Sequence, residues 1–198
     1  MPTEETIDSS VQSKWQRLLD LSIEALGAPI ALLTRLDAAA SEILLLSGAA
    51  PEWIPGGELP QDLGIFVKAV VESKNELAVE DASLADLWAQ TVGKQPGIAA
   101  FLGRPILWPS GEVFGTVCVL DTQPRRFSEL SRKLLGEFAG SIQSDLKNLL
   151  LQKEQADLRA QIANAEQNLK DEGDRFDQIF QTSTSGILIT SLKDGTIL

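Results

Sequence analysis

Apolar residues along this chain recur at helical spacing in some segments and form short runs in others. Within 11–26 they return every three or four positions, which predicts an amphipathic helix ending at Gly27, and 63–73 shows the same pattern. Short apolar runs bounded by polar residues, Gly or Pro predict strands at 29–36, 43–46, 77–80, 98–107 and 112–120. The first two thirds of the chain therefore alternate between short strands and helices.

From Ser128 onward the pattern predicts one long helix. No Pro follows, and a helix over 129–172 would be roughly 65 Å long at about 1.5 Å per residue. A compact domain of this size is only about 30–40 Å across, so we expect the helix to leave the domain. Its apolar residues alternate by three and four, with a phase change near 149–151, which favours a parallel two-stranded coiled coil. The predicted homodimer uses this helix and the N-terminal one, and its interface residues are Phe138, Ile142, Leu146, Leu149, Leu158 and Ile162.

The most specific motifs lie between residues 101 and 128. Gly-Arg-Pro-Ile at 103–106 is followed by a Ser-Gly turn at 110–111 and by Gly-Thr-Val-Cys-Val-Leu-Asp at 115–121. Pro-Arg-Arg-Phe-Ser at 124–128 then precedes the long helix. This series resembles the C-terminal half of a GAF domain, a small-molecule-sensing module of many bacterial signalling proteins. The resemblance implies an α+β fold with a central antiparallel sheet of five to six strands and helices on both faces, followed by a long coiled-coil signalling helix.

The last residues carry a different pattern. Residues 175–198 contain Phe-x-x-Ile-Phe, a small polar loop, Gly-Ile-Leu-Ile-Thr and an acidic-Gly turn. This order resembles the opening of a PAS domain, and about 24 residues are too few to close such a core. The expected organisation is a disordered lead at 1–10, a GAF sensory domain at 11–148, a coiled-coil linker at 149–174 and a truncated PAS start at 175–198.

Composition narrows the function. The chain has 198 residues, a net charge of −11 and no His, so nucleic acid and anionic membranes are poor partners. Without His and with one Cys, neither Ser-His-Asp nor Cys-His catalysis is available, and we expect no metal site. A carboxylate such as Asp81 or Asp86 as a catalytic base is a poor alternative. The acidic N-terminus and the lack of a spanning apolar run favour a cytoplasmic protein.

Several residues are candidates for a site. The aromatic pocket candidates are Trp53, Trp88 and Phe101, with ordinary core packing as the alternative. Arg104 in an apolar strand could bind a ligand carboxylate or phosphate, or pair with a nearby acid on the surface. Cys118 is expected to be a buried core residue, and Asp121 with Arg125 a stabilising ion pair.

The predicted function is regulatory. The GAF resemblance implies that the chain senses a small molecule and relays the change to a downstream PAS and effector domain, a histidine kinase or a diguanylate cyclase. No catalysis and no cofactor are expected of this chain. The alternative is a ligand-free GAF domain that serves as a dimerisation spacer.

Overall fold

The computed structural model describes residues 7–36, 41–48, 54–82 and 98–182. The chain divides into two compact units between Leu150 and Leu151. The first unit contains a β-sheet with helices on both faces, and the described part of the second is helical. The predicted α+β fold is therefore confirmed. The helices are α1 (Ser9–Leu26), α2 (Gln61–Ser73) and α3 (Glu129–Thr182), and the strands are β1 (Ile30–Leu36), β2 (Ser41–Gly48), β3 (Leu77–Val79), β4 (Ala100–Leu107) and β5 (Val113–Asp121).

Among the described residues, five strands form one antiparallel sheet in the order β2-β1-β5-β4-β3. The predicted hairpin joins β4 to β5. At its turn, the Trp108 amide donates to the Glu112 carbonyl oxygen and the Gly111 amide donates to the Trp108 carbonyl oxygen, each at 2.8 Å. Gly111 has a φ of 82°, a conformation that favours glycine.

A β-bulge beside this hairpin changes which face one aromatic residue occupies. Ile106 pairs with Gly115 but Leu107 pairs with Val113, so Phe114 is an extra residue in β5. Phe114 therefore lies in the same hydrophobic cluster as Val117, although the two are three residues apart. A Cβ on Gly115 would collide with the carbonyl oxygen of Thr34 in β1, which explains the glycine at this point.

The helix α1 begins earlier than the sequence predicted. Asp8 caps it by accepting a hydrogen bond from the Ser10 amide at 3.0 Å, and this bond lowers the pKa of the Asp8 carboxyl. Ile7 is buried in the hydrophobic core. Residues 7–10, expected to belong to a disordered lead, are thus part of the folded domain. Gly27 ends the helix with a φ of 60°, as its position predicted.

The helix α3 continues beyond its predicted end. It passes through Gly173 without interruption and ends at Thr182. Residues 175–182, predicted to open a PAS domain, are its last two turns. The predicted PAS strands fall on 183–198, outside the described residues.

Two hydrophobic cores cover the two faces of the sheet. We call the face on which α1 and the first five turns of α3 pack the α1–α3 face, and we call the face on which α2 packs the α2 face. The α1–α3 face includes Trp15, Leu33, Leu102, Val119 and Leu146, and the α2 face includes Leu32, Phe66, Val70, Phe101 and Cys118. Alternation along each strand sends neighbouring side chains to opposite faces.

Candidate functional site

The α2 face contains the one aromatic pocket candidate that lies among the described residues. The Phe101 side chain is fully buried and stacks on Phe66 of α2, with ring centroids 5.1 Å apart and an interplanar angle of 16°. Gly103 makes room for it, because a Cβ there would lie 2.5 Å from Cζ of the Phe101 ring. The ring of Phe101 therefore fills space above β4 instead of lining an open surface.

Trp53 and Trp88, the other two aromatic candidates, lie outside the described residues. The same holds for 83–97, the whole segment that precedes β4 and contains Trp88.

Two buried threonines provide polar atoms between β1 and β5. The Thr34 hydroxyl accepts a hydrogen bond from the Thr116 amide at 3.1 Å and donates to the Thr116 carbonyl oxygen at 3.3 Å. The Thr116 side chain alternates with Val117 and so lies on the same side as Cys118, on the α2 face. Its Oγ1 is buried and has no hydrogen-bond partner in the described part of the chain. A buried hydroxyl without a partner lowers the free energy of unfolding by about 1–3 kcal/mol. Thr116 is therefore the polar residue of this face that most needs an explanation.

Arg104 is on the other side of the sheet from Phe101. Its Nε and Nη2 donate to Oε2 of Glu76 at 2.8 and 2.6 Å, and its guanidinium lies against α3, 3.1 Å from where a Cβ on Gly136 would stand. The second oxygen of Glu76 accepts a bond from Nη1 of Arg132 at 3.2 Å. Arg104 and Phe101 therefore cannot line one pocket, and the structure instead shows the ion pair that was the alternative for Arg104.

The expected ion pair between Asp121 and Arg125 is present. Nη1 of Arg125 lies 3.1 Å from Oδ2 of Asp121 and also donates to the carbonyl oxygen of Gly27 at 2.6 Å. Arg125 thus links the end of β5 to the end of α1, which supports a stabilising role.

Cys118 lies at the centre of the α2 face, opposite Gly103 on β4. The side chain is completely buried, and burial raises the pKa of the thiol far above its ordinary value. Because the thiolate is the reactive form, Cys118 is an inert core residue in this conformation.

The six predicted interface residues fall into different environments. Ile142 and Leu146 are fully buried against the sheet and α1, so their assignment to a dimer interface is wrong. Leu149 packs against the same core, and Phe138 is half-buried. Leu158 and Ile162 are 56% and 51% exposed. Only these last two have the exposure that an interface with another chain requires.

The sequence did not indicate two acidic residues that join elements. Glu76, which precedes β3, forms ion pairs with both Arg104 and Arg132. Asp145 of α3 accepts bonds from the Trp15 indole at 2.9 Å and the Lys14 ammonium at 2.7 Å, and so fixes α1 to α3. Their partners lie 28 to 131 residues away in the chain, and no local motif marks such a pairing.

The sequence profile described as "GAF domain" matches residues 11–144. The chain belongs to the GAF family. The diguanylate cyclase DgcP of Escherichia coli strain K12 is similar to it, with 25% identity over 139 residues. That match covers 68% of this chain, and the chain spans about 40% of the length of this curated relative. The similarity is therefore to one domain of the cyclase.

Solved GAF structures share the fold at low identity. The GAF domain of Acinetobacter phosphoenolpyruvate-protein phosphotransferase is 22% identical with a TM-score of 0.58, over 73% of this chain and 87% of that one. A GAF domain of Synechocystis sp. PCC6803 in its photoproduct state is 18% identical with a TM-score of 0.58, over 72% and 97%. A domain of a protein described as a two-component sensor histidine kinase from Sinorhizobium meliloti is 18% identical with a TM-score of 0.55, over 75% and 99%. This GAF domain therefore has a fold found in several signalling proteins.

The described residues of the GAF chain lack two other features. Their helices include none with a stretch both long and apolar enough to span a bilayer. No three His, Cys, Asp or Glu side chains among them lie close enough together to hold a metal ion.

Proposed function

We propose that this chain is a regulatory sensory module that binds a small molecule on the α2 face. A change on that face passes through α3 in a homodimer to a PAS domain and an effector, a histidine kinase or a diguanylate cyclase. The chain itself carries out no catalysis and acts in the cytoplasm. The observation that supports ligand binding is the Thr116 hydroxyl, buried beside an apolar core without a partner.

The same observation suggests the chemistry of the ligand. Thr116 lies opposite Thr34 of β1 and Pro105 of β4, and the same face carries an apolar core that includes Leu32, Phe101 and Cys118. Ligand sites combine such surfaces with a few polar groups that fix orientation. The ligand is then a mostly apolar small molecule with one polar atom that bonds to Thr116 Oγ1.

The proposed output rests on relatives and on α3. One similar protein is a diguanylate cyclase, and another is described as a sensor histidine kinase. In this chain α3 starts on the sheet, where Arg132 pairs with Glu76, and continues to Thr182. A ligand shifts such a helix only by its difference in affinity between two arrangements of the protein.

Replacing Thr116 by Val tests ligand binding, because Val keeps the shape and removes the hydroxyl. The full chain is purified from its native host and studied by native mass spectrometry, with Thr122→Val as the control because Thr122 is exposed. We expect a bound molecule in the wild type and in the control, and an at least tenfold lower occupancy in Thr116→Val. Equal occupancy in all three proteins would contradict the proposed site.

A ligand-free dimerisation spacer is the second candidate. It is favoured by Phe101, whose fully buried ring stacks on Phe66 and fills part of the α2 face with protein. In that case no molecule co-purifies with the wild type, and Thr116→Val raises the free energy of unfolding by about 1 kcal/mol because it removes an unpartnered hydroxyl. A bound molecule in the wild type would exclude the spacer.

A further inference from the structure

The helical segment 151–179 carries a stripe of exposed apolar side chains. Every residue from 151 to 179 is exposed. We call the stripe the seam, and its members are Leu151, Leu158, Ile162, Ala165, Leu169, Phe176 and Ile179. Their spacings of seven, four, three, four, seven and three residues fit the a and d positions of heptads. An exposed apolar stripe of this length marks an interaction surface.

We propose that the seam pairs, parallel and in register, with the seam of a second copy of this chain, and that Glu172 divides the pair into a stable and a conditional part. The parallel direction rests on the proposed function, in which both copies deliver a signal to effectors on the same side. In a parallel pair each a or d residue meets its own equivalent. Layers of Leu151, Leu158, Ile162 and Leu169 then close the first part of the seam.

Charges beside the seam support a second copy as the partner. With Leu158 at d, Glu154 occupies a g position and Arg159 the following e position. In a parallel pair the g residue of one helix lies beside the next e residue of the other, so Glu154 meets Arg159 of the second copy twice per dimer. Within one helix these residues are five apart and do not face each other. The attraction is therefore available between copies and not within one.

Two polar residues interrupt the seam in different ways. Gln155 at an a position meets its equivalent, and two neutral amides can hydrogen-bond to each other. Glu172 at a d position, between Leu169 and Phe176, meets a second carboxylate of the same charge. Gly173 is the next residue, and glycine destabilises a helix relative to alanine. The layers of Phe176 and Ile179 therefore close only when the repulsion at Glu172 is overcome.

Direction is tested with engineered cysteines. An antiparallel pair with the same seam would place Gln155 opposite Glu172 and so remove the repulsion between the two Glu172 carboxylates. The parallel and antiparallel pairs therefore differ in which residues of the two chains lie in contact. In the parallel pair, Gln155→Cys places two thiols in contact. In the antiparallel pair, those thiols are 17 residues, about 25 Å, apart along the helix axis. Gln167→Cys, the same change at an outward f position, is the control, and the buried Cys118 leaves the background unreactive.

After oxidation of the full chain with copper-phenanthroline, we expect disulfide-linked dimer for Gln155→Cys and none for Gln167→Cys or the wild type. The proposal is overturned if Gln155→Cys gives no more linked dimer than its control. Because no ligand takes part, this result does not depend on whether the α2 face binds a small molecule.

The role of Glu172 is tested by sedimentation equilibrium. We expect Glu172→Leu to tighten the dimer dissociation constant about tenfold or more, because it removes the like-charge contact. Glu172→Gln should tighten it less, and Asp174→Asn, at an outward position, should change it by less than about twofold. An unchanged constant in Glu172→Leu, or an equal effect in Asp174→Asn, would overturn the division of the seam. All these side chains are exposed, so the variants are expected to fold.

Discussion

Two identical substitutions in α3 should have different consequences. Leu146 and Leu158 lie on the same helix, twelve residues apart, and the sequence assigned both to one interface. In the structure Leu146 is fully buried, whereas Leu158 is 56% exposed. We predict that Leu146→Ala destabilises the folded domain and that Leu158→Ala weakens association between chains.

The magnitudes follow from burial. A fully buried Leu→Ala change costs about 2–5 kcal/mol, because it removes packing contacts and leaves a cavity. For a chain of this length about 1 kcal/mol corresponds to about 2–4 °C in Tm, so Leu146→Ala should lower the Tm by about 4–20 °C. An exposed position away from special features changes the free energy of unfolding by within about 0.5 kcal/mol. The two variants should therefore differ by at least about 1.5 kcal/mol in folding stability.

Urea denaturation followed by tryptophan fluorescence measures the first effect, since the buried Trp15 packs in the same core as Leu146. The experiment is run at a protein concentration at which the wild type is monomeric, so that dimerisation adds nothing to stability. Light scattering at higher concentration then measures association. Equal urea midpoints for the two variants would refute the separation of core from interface. A Leu158→Ala variant that loses several kcal/mol would refute it as well.

Three further predictions concern other parts of the domain. Gly115→Ala should lower the free energy of unfolding by about 3 kcal/mol or more, because the added methyl group would collide with the β1 backbone. Gly140 has open space around it, so Gly140→Ala should raise the free energy of unfolding by about 1 kcal/mol. Thermal unfolding measures both effects. Asp145→Leu should lower the free energy of unfolding, measured by urea denaturation, by about 1–3 kcal/mol, because it leaves the buried Trp15 indole unpartnered. A decrease below about 0.5 kcal/mol would contradict that role. Because burial raises the pKa of the Cys118 thiol, the folded state keeps the thiol proton above pH 9.0, whereas the unfolded state loses it. The free energy of unfolding should therefore fall by up to about 1.4 kcal/mol per pH unit above pH 9.0. Cys118→Ala should show a shallower decline.

Much of the fold could be predicted because the signals are local. The hairpin at 108–111 combines a turn sequence with two apolar runs, and both strands end within two residues of their predicted bounds. The end of α3 could not be predicted in the same way. Gly173 costs a helix only about 1 kcal/mol, so it weakens a long helix without ending it.

The faces of some residues could not be predicted, because strand alternation assumes an unbroken register. Phe114 lies two residues before Thr116, and simple alternation would place it on the α2 face. The bulge opposite Leu107 turns it to the other face, where it makes edge-to-face contacts with Trp15 and Trp108. A bulge depends on how two strands pair, so the sequence of one strand cannot reveal it.

The interface was misassigned because two physical situations produce the same pattern. A helix packed on its own sheet and a helix packed on a second helix both repeat apolar residues every three or four positions. Over the three turns that contain Ile142 and Leu146, periods of 3.5 and 3.6 residues cannot be told apart. Exposure separates the two cases: the stripe at these residues is buried within one chain, while the stripe at Leu158 and Ile162 is exposed.

Arg104 shows why a binding site needs more than residue type. A cation in an apolar strand must be paired, but the strand sequence does not say with what. Its partner Glu76 directly precedes β3, and the pairing of Leu77 with Gly103 brings that residue beside Arg104. Once that register is known, the alternation of β4 also places Arg104 and Phe101 on opposite faces. The face of the sheet, and not the charge of one side chain, therefore decides which residues could share a ligand, which is why the site that we propose on the α2 face contains Thr116 and not Arg104.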